Sequence, residues 1–179
     1  MAETRTFSQL VKEVGEWSER NFGDQDGLNE VAPFLGVVEE LLCETFEARG
    51  NRDKILDSFA DALIFLADLF YRTGIACDVL FSIDPNESYD QNSGEKEFRW
   101  AMGNLARFLL KWRQGIRDAD IADISLAAKL LFCRTILYYQ DLKIDDKPPL
   151  QDLVWSTWEK VKKRDWKKNP ENAHEVAES

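Results

Sequence analysis

The segment GVVEELLCETFEA, Gly36 to Ala48, decides how the rest of the chain reads, because it threads Glu39, Glu40, Glu44 and Glu47 through an otherwise apolar run. Residues three and four apart share one helix face. Glu40, Glu44 and Glu47 therefore form a negative stripe that repels itself unless something positive meets it. The helix around them is expected from about Val31 to Arg49, with Leu35, Val38, Leu42 and Phe46 as its core stripe and Gly50 and Asn51 as its C-cap. Asp53 is then placed to cap the following helix.

That following helix carries Ile55, Phe59, Leu63, Leu66 and Phe70 at helical spacing, with Ile64 and Phe65 on other faces, so it should be the most buried element. It also repeats the acidic pattern in Asp57, Asp61 and Asp68. Asp61 lies inside SFADALIFLAD, among apolar neighbours. A buried carboxylate without a partner costs several kcal/mol. Protonation, an arginine such as Arg49 or Arg72, or a metal ion must compensate. Two antiparallel helices joined at GNR would bring both acidic faces together. Facing carboxylates suit a hard divalent cation, Mg2+ best, with Mn2+ as the alternative. A di-iron bundle would need Glu-x-x-His pairs, and the single histidine, His174, lies near the end of the chain. The plainer readings are that Glu39 and Glu47 are solvated helix positions, that Asp57 complements a helix dipole, and that Asp68 faces solvent.

Working outward, Phe7, Leu10, Val11, Val14 and Trp17 define a first helix that meets the turn-rich NFGDQDG. SIDPNESYDQNSG, residues 82–94, reads as a connecting loop. Beyond it, Phe98, Met102, Leu105, Leu109 and Trp112 mark a fourth helix, and Ile124, Ala128, Leu131 and Leu137 a fifth. Pro148 and Pro149 open a sixth, with Leu150, Val154, Trp158 and Val161. It runs into the basic stretch KVKKRDWKK before a polar tail, 169–179. No strand pair and no Gly-rich phosphate loop is evident. The expectation is one all-α domain over residues 1–168. An echo of GNRD (Gly50, Arg52, Asp53) in GIRD (Gly115, Arg117, Asp118) suggests two related helical hairpins, of which the first keeps the acidic residues. Trp17, Trp100, Trp112, Trp155 and Trp158 are expected to pack in the core.

The 179 residues carry a formal net charge of −10, which argues against a general affinity for nucleic acid or an anionic membrane. Cys43, Cys77 and Cys133 are too scattered for a disulfide framework or zinc motif. MAETRTFSQL lacks the apolar core of a signal peptide, and no apolar run approaches bilayer length. A cytoplasmic protein is expected. Lys160, Lys162, Lys163, Arg164, Lys167 and Lys168 form the one concentrated positive stretch. It reads either as a solvated helix end or as a clamp on phosphate oxygens.

The order of these segments resembles the MazG-like all-α nucleoside triphosphate pyrophosphohydrolase family. GVVEELLCETFEA is similar to that family's E-E-x-x-E helix, and DSFADALIFLADL to its second acidic helix, in which Asp57 and Asp61 match a D-x-x-x-D form. NFGDQD, KWRQGIR and WEKVKKRDWKKNP extend the likeness over most of the chain. The resemblance implies a helical bundle with a four-helix core, assembled as a homodimer or homotetramer. It also implies Mg2+-dependent conversion of NTP and water to NMP and pyrophosphate. Carried over, it assigns Glu40, Glu44, Asp57 and Asp61 to the metal, Glu39 and Glu44 to the attacking water, and Lys163 and Arg164 to phosphate oxygens. Trp17 and Phe22 would form the base slot. Two positions depart from the family pattern: Cys43 stands where a glutamate is expected and Ser58 where the E-x-x-D form has its acid. On a regular α-helix Glu44 is about 100° away from the missing position. The alternative reading is a catalytically silent relative that binds nucleotide or mediates assembly.

Overall fold

Side-chain caps fix where three of the helices begin. The structure, a computed structural model, describes residues 5–23, 30–48, 50–76, 94–116 and 120–168. Arg49, Cys77, Arg117, Asp118, nearly all of the loop expected at 82–94 and the tail from Asn169 lie outside the described residues. Helix α1 (Phe7–Phe22) starts at a capping box in which Thr6 accepts from the Gln9 amide and the Gln9 side chain accepts from the Thr6 amide. Helix α2 begins as Val31–Val38, passes without a break into a π-helical segment, Glu39–Glu44, and ends in the turn Thr45–Glu47. Helix α3 (Arg52–Thr73) is capped by Asn51, whose side chain accepts from the Lys54 amide. The cap is thus Asn51 and not Asp53. Asn51 has the extended backbone a cap needs, whereas Asp53 is already helical and pairs with Arg52 at 2.8 Å. Helices α4 (Gly94–Arg113), α5 (Ile121–Asp141, behind an Asp120 capping box) and α6 (Leu150–Val161, behind Pro149) complete the set. The fold is all-α, with no strand among the described residues.

Helix α3 is the hub. It packs against α1, α2, α5 and α6, while α4 lies along α5 and touches α2. The α2–α3 and α4–α5 hairpins therefore meet through α3–α5 and α2–α4. Phe59, Leu63, Leu66, Leu69 and Phe70 are sealed from solvent, as the helical spacing predicts. Phe7 locks α1 onto this core, with its ring 5.7 Å from Phe70 and 4.3 Å from Phe132. Two glycines permit the close approach of α1 and of α2 to α3. A Cβ on Gly15 would fall 1.9 Å from the Tyr71 ring, and one on Gly36 would fall 2.5 Å from the Phe65 ring.

Two expectations are corrected. Leu35, Leu42 and Phe46 are exposed, Phe46 at 60%, and the buried stripe of α2 is Phe34, Val37 and Leu41. VAPFLGVVEELL carries apolar residues on two faces, and the face one residue earlier, about 100° round, is the one that meets α3. That rotation takes Glu40 inward with it. Trp100 is 60% exposed and Trp112 is also on the surface, because Phe98, Met102, Leu105 and Leu109 fill the buried face of α4. Trp17, Trp155 and Trp158 do pack in the core. No described helix is long and apolar enough to cross a membrane.

Candidate functional site

The π-helical turn builds the site. In a regular α-helix Glu39 and Glu44, five apart, would be about 140° from each other. Here the Thr45 amide bonds to the Glu40 carbonyl in the i to i+5 pattern, and the Thr45 hydroxyl donates to the same oxygen at 2.9 Å. The widened turn absorbs one extra residue. Glu39, Glu40 and Glu44 consequently converge, each offering an oxygen within 4.8 Å of the others. Cys43 points to solvent. The phase difference that separates Glu44 from the position of Cys43 on an ideal helix is removed by the π turn.

These three glutamates line a cavity of about 580 Å3 together with Asp57 and Asp61 from α3. The two acidic faces do come together, although Asp57 and Asp61 lie outside the tight glutamate triad. Ser58 does not join them. It is buried and donates to the Lys54 carbonyl at 3.0 Å, so the cavity is reached from positions 57 and 61 on either side of it.

Glu40 is the key side chain. It is 8% exposed, and its Oε2 is buried without a hydrogen-bond partner. Burial first, then the charges of Asp61, Glu44, Glu39 and Asp57, push its pKa up to about 8. Burial and Asp57 push Asp61 up to about 7, against the pull of Arg164 and Lys160. Glu39 at the mouth is also raised, by burial and by Glu44 and Glu47. Arg72 does not neutralise Asp61. It pairs instead with Asp68 at 3.0 Å, within the same helix.

Farther along the cavity the lining turns aromatic, with Trp17, Phe22, Phe65 and Trp166. Trp17 stacks edge-on against Phe22 at 5.6 Å, and Phe22 is tilted against Trp166 at 6.2 Å. The Trp17 indole donates to the Arg164 carbonyl, and Asn21 accepts from the Trp166 amide, so α1 holds the segment after α6 in place. Beyond the aromatics, Asp68 and Ser18 form a second polar end. Burial raises the Asp68 pKa, opposed by its bonds to Arg72 and Ser18.

The basic residues divide. Arg164 lines the acidic cavity and also a neighbouring groove of about 400 Å3. Lys163 lines only that groove, with Arg20, Lys167 and Lys168. Lys162 is taken by Glu159 at 2.8 Å, and Lys168 by Asp165 at 3.1 Å. Sequence reasoning missed Ser18, Phe65 and Trp166. Asp68, which the sequence placed in the acidic pattern with solvent as its alternative setting, stands two turns from Asp61 on the same face of α3 and is mostly buried against Arg72. Compared with known proteins, the chain matches no family model, no curated protein and no solved structure.

Proposed function

We propose that the chain is a Mg2+-dependent nucleoside triphosphate pyrophosphohydrolase. The observation that carries this reading is the buried, unpartnered Glu40 Oε2, gathered with Glu39, Glu44, Asp57 and Asp61 at one end of a cavity. Such a cluster is costly when left to itself. A hard cation that prefers oxygen ligands fits the donor set. Glu40, Glu44, Asp57 and Asp61 would hold it. When bound, Mg2+ supplies charge neutralisation at phosphoryl oxygens and lowers the pKa of a coordinated water.

The remaining work falls to the chain's own residues. Glu39, exposed at the mouth, is placed to accept a proton from the attacking water. Arg164 faces the acids from the end of α6 and can hold phosphate oxygens. Lys163, in the adjoining groove, can reach only phosphates that extend out of the cavity. Trp17, Phe22 and Trp166 offer an apolar slot for a base. Both departures from the family pattern have a local remedy: Glu44 enters through the π turn, and Asp57 with Asp61 brackets Ser58.

Pyrophosphate release from a panel of NTPs and dNTPs, with and without Mg2+ and with Asp61→Ala as control, tests the reading. Metal-dependent turnover that the variant loses is expected. Tight nucleotide binding without product would favour the silent binding module, and no turnover on any nucleotide would end the enzymatic claim.

A further inference from the structure

The far end of the cavity, opposite the acidic cluster, presents a hydrogen-bond acceptor, Asp68. Asp68 Oδ1 and Oδ2 share the Arg72 Nε–H at 3.0 Å, and Oδ2 also accepts the Ser18 hydroxyl at 2.9 Å. That commits the only proton of Ser18. Arg72 is committed too, to Asp68, to Ser18 Oγ at 2.6 Å and to the Gly23 carbonyl at 3.3 Å. A carboxylate has about four acceptor positions, so Asp68 keeps capacity for a further donor, while Ser18 has no proton left and Arg72 does not line the cavity.

Asp68 also lies at a useful distance. Asp57, Asp61, Ile64, Phe65 and Asp68 all line the cavity from one side of α3. Asp61 and Asp68 are seven residues apart, which is two turns and roughly 10 Å along the axis. The stretch between the acids and Asp68 is apolar and aromatic. The order of acids, aromatic slot and acceptor matches the order of phosphate, sugar with base, and base edge in a nucleotide. Stacking on aromatics tolerates every base, because each has a π-face. Discrimination must then come from the edge the base presents. Cytosine and adenine carry an amino donor where uracil, thymine and guanine carry a carbonyl oxygen, and that oxygen would meet a carboxylate.

We infer that Asp68 is the residue that selects the base, and that it selects one whose amino group stands where uracil and guanine carry a carbonyl oxygen, as in cytosine or adenine. The inference rests on the nucleotide reading of the cavity, and its test separates the two. Titration of the full chain with CMP and with UMP in the presence of Mg2+, followed by tryptophan fluorescence and calorimetry, compares ligands that differ only in amino against carbonyl and are not hydrolysed in the proposed reaction. CMP is expected to bind at least tenfold tighter. Asp68→Asn, which replaces one acceptor oxygen by a donor, should bring the CMP-to-UMP ratio to within about twofold of unity. Ser18→Ala, which leaves the carboxylate and Arg72 in place, should keep the preference for CMP. A purely structural role for Asp68 would weaken both ligands alike and leave the ratio unmoved. Equal binding of CMP and UMP by the natural chain overturns the inference, whatever the variants do. Mg2+-dependent hydrolysis of UTP as fast as CTP would also overturn it while leaving the pyrophosphohydrolase reading intact. Selective CMP binding without hydrolysis would do the reverse.

Discussion

The α2–α3 and α4–α5 hairpins are built from similar materials and treat their charges in opposite ways. In α4–α5, acids meet bases: Glu97 pairs with Arg134 at 2.7 Å across the two helices, and Glu95 with Arg99 at 2.6 Å. In α2–α3, acids meet acids, with Glu39, Glu40 and Glu44 converging beside Asp57 and Asp61. The first arrangement is what folding alone favours. The second is tolerated because α3 buries enough apolar surface elsewhere, at Phe59, Leu63, Leu66, Leu69 and Phe70, to carry a locally unfavourable cluster. The like charges gathered in one hairpin therefore mark the place where something other than stability sets the residues.

The sharpest way to break this contrast is at Asp61 and Glu40. Asp61→Ala or Glu40→Gln is expected to lower metal-dependent turnover by about 100-fold or more, in line with losses on removing charged catalytic groups. Glu40→Gln should at the same time raise the melting temperature of the cation-free protein. A variant that loses both activity and stability would show that Glu40 is held by structure alone.

The pH dependence separates the hairpins next. Glu40 and Asp61 titrate near 8 and 7 in the fold, against 4.5 and 3.8 for the free side chains. Between those limits the folded chain keeps protons that the unfolded chain has released, so stability falls as pH rises through the window. The cation-free protein should lose about 5 °C or more in Tm between pH 5 and pH 8.5. Mg2+ should restore most of the loss, and Glu40→Gln should flatten the curve. Thermal melts across pH read all three.

Gly36→Ala should cost about 1–3 kcal/mol in urea unfolding, because the new methyl meets the Phe65 ring. Thr45→Val keeps shape and removes the hydroxyl that donates to the Glu40 carbonyl. It should weaken Mg2+ binding several-fold as the π turn relaxes and Glu39 and Glu44 separate, with about 1 kcal/mol lost in stability. Smallest of all, Glu97→Gln in the other hairpin should cost about 1 kcal/mol or less, since the pair is partly exposed, and leave nucleotide binding unchanged.

Much of α3 was legible in advance. Its long run of apolar residues at helical spacing has one reading, and the residues expected inside from Phe59 to Phe70 are inside. The acidic pattern of Asp57 and Asp61 was legible as well, and these residues do share a cavity with the glutamates of α2. Helix α2 was not legible to the same degree. Leu35, Leu42 and Phe46 form as good a stripe on paper as Phe34, Val37 and Leu41, and only contact with α3 at Gly36 and Phe65 chooses between them. Ser18 and Trp166 were missed because they reach the cavity from parts of the chain nearly 150 residues apart, brought together by packing of α1 on the segment beyond α6.

Local patterning, then, was enough to establish helices and the presence of opposed acidic faces, because spacing and charge are properties of neighbours along the chain. The rotation of α2, the π turn that turns Glu39 and Glu44 toward each other, and the pairing of Arg72 with Asp68 instead of Asp61 came only with the assembled fold. Each depends on which of several nearly equal local arrangements buries the most apolar surface against α3, a comparison that exists only once distant segments are in contact.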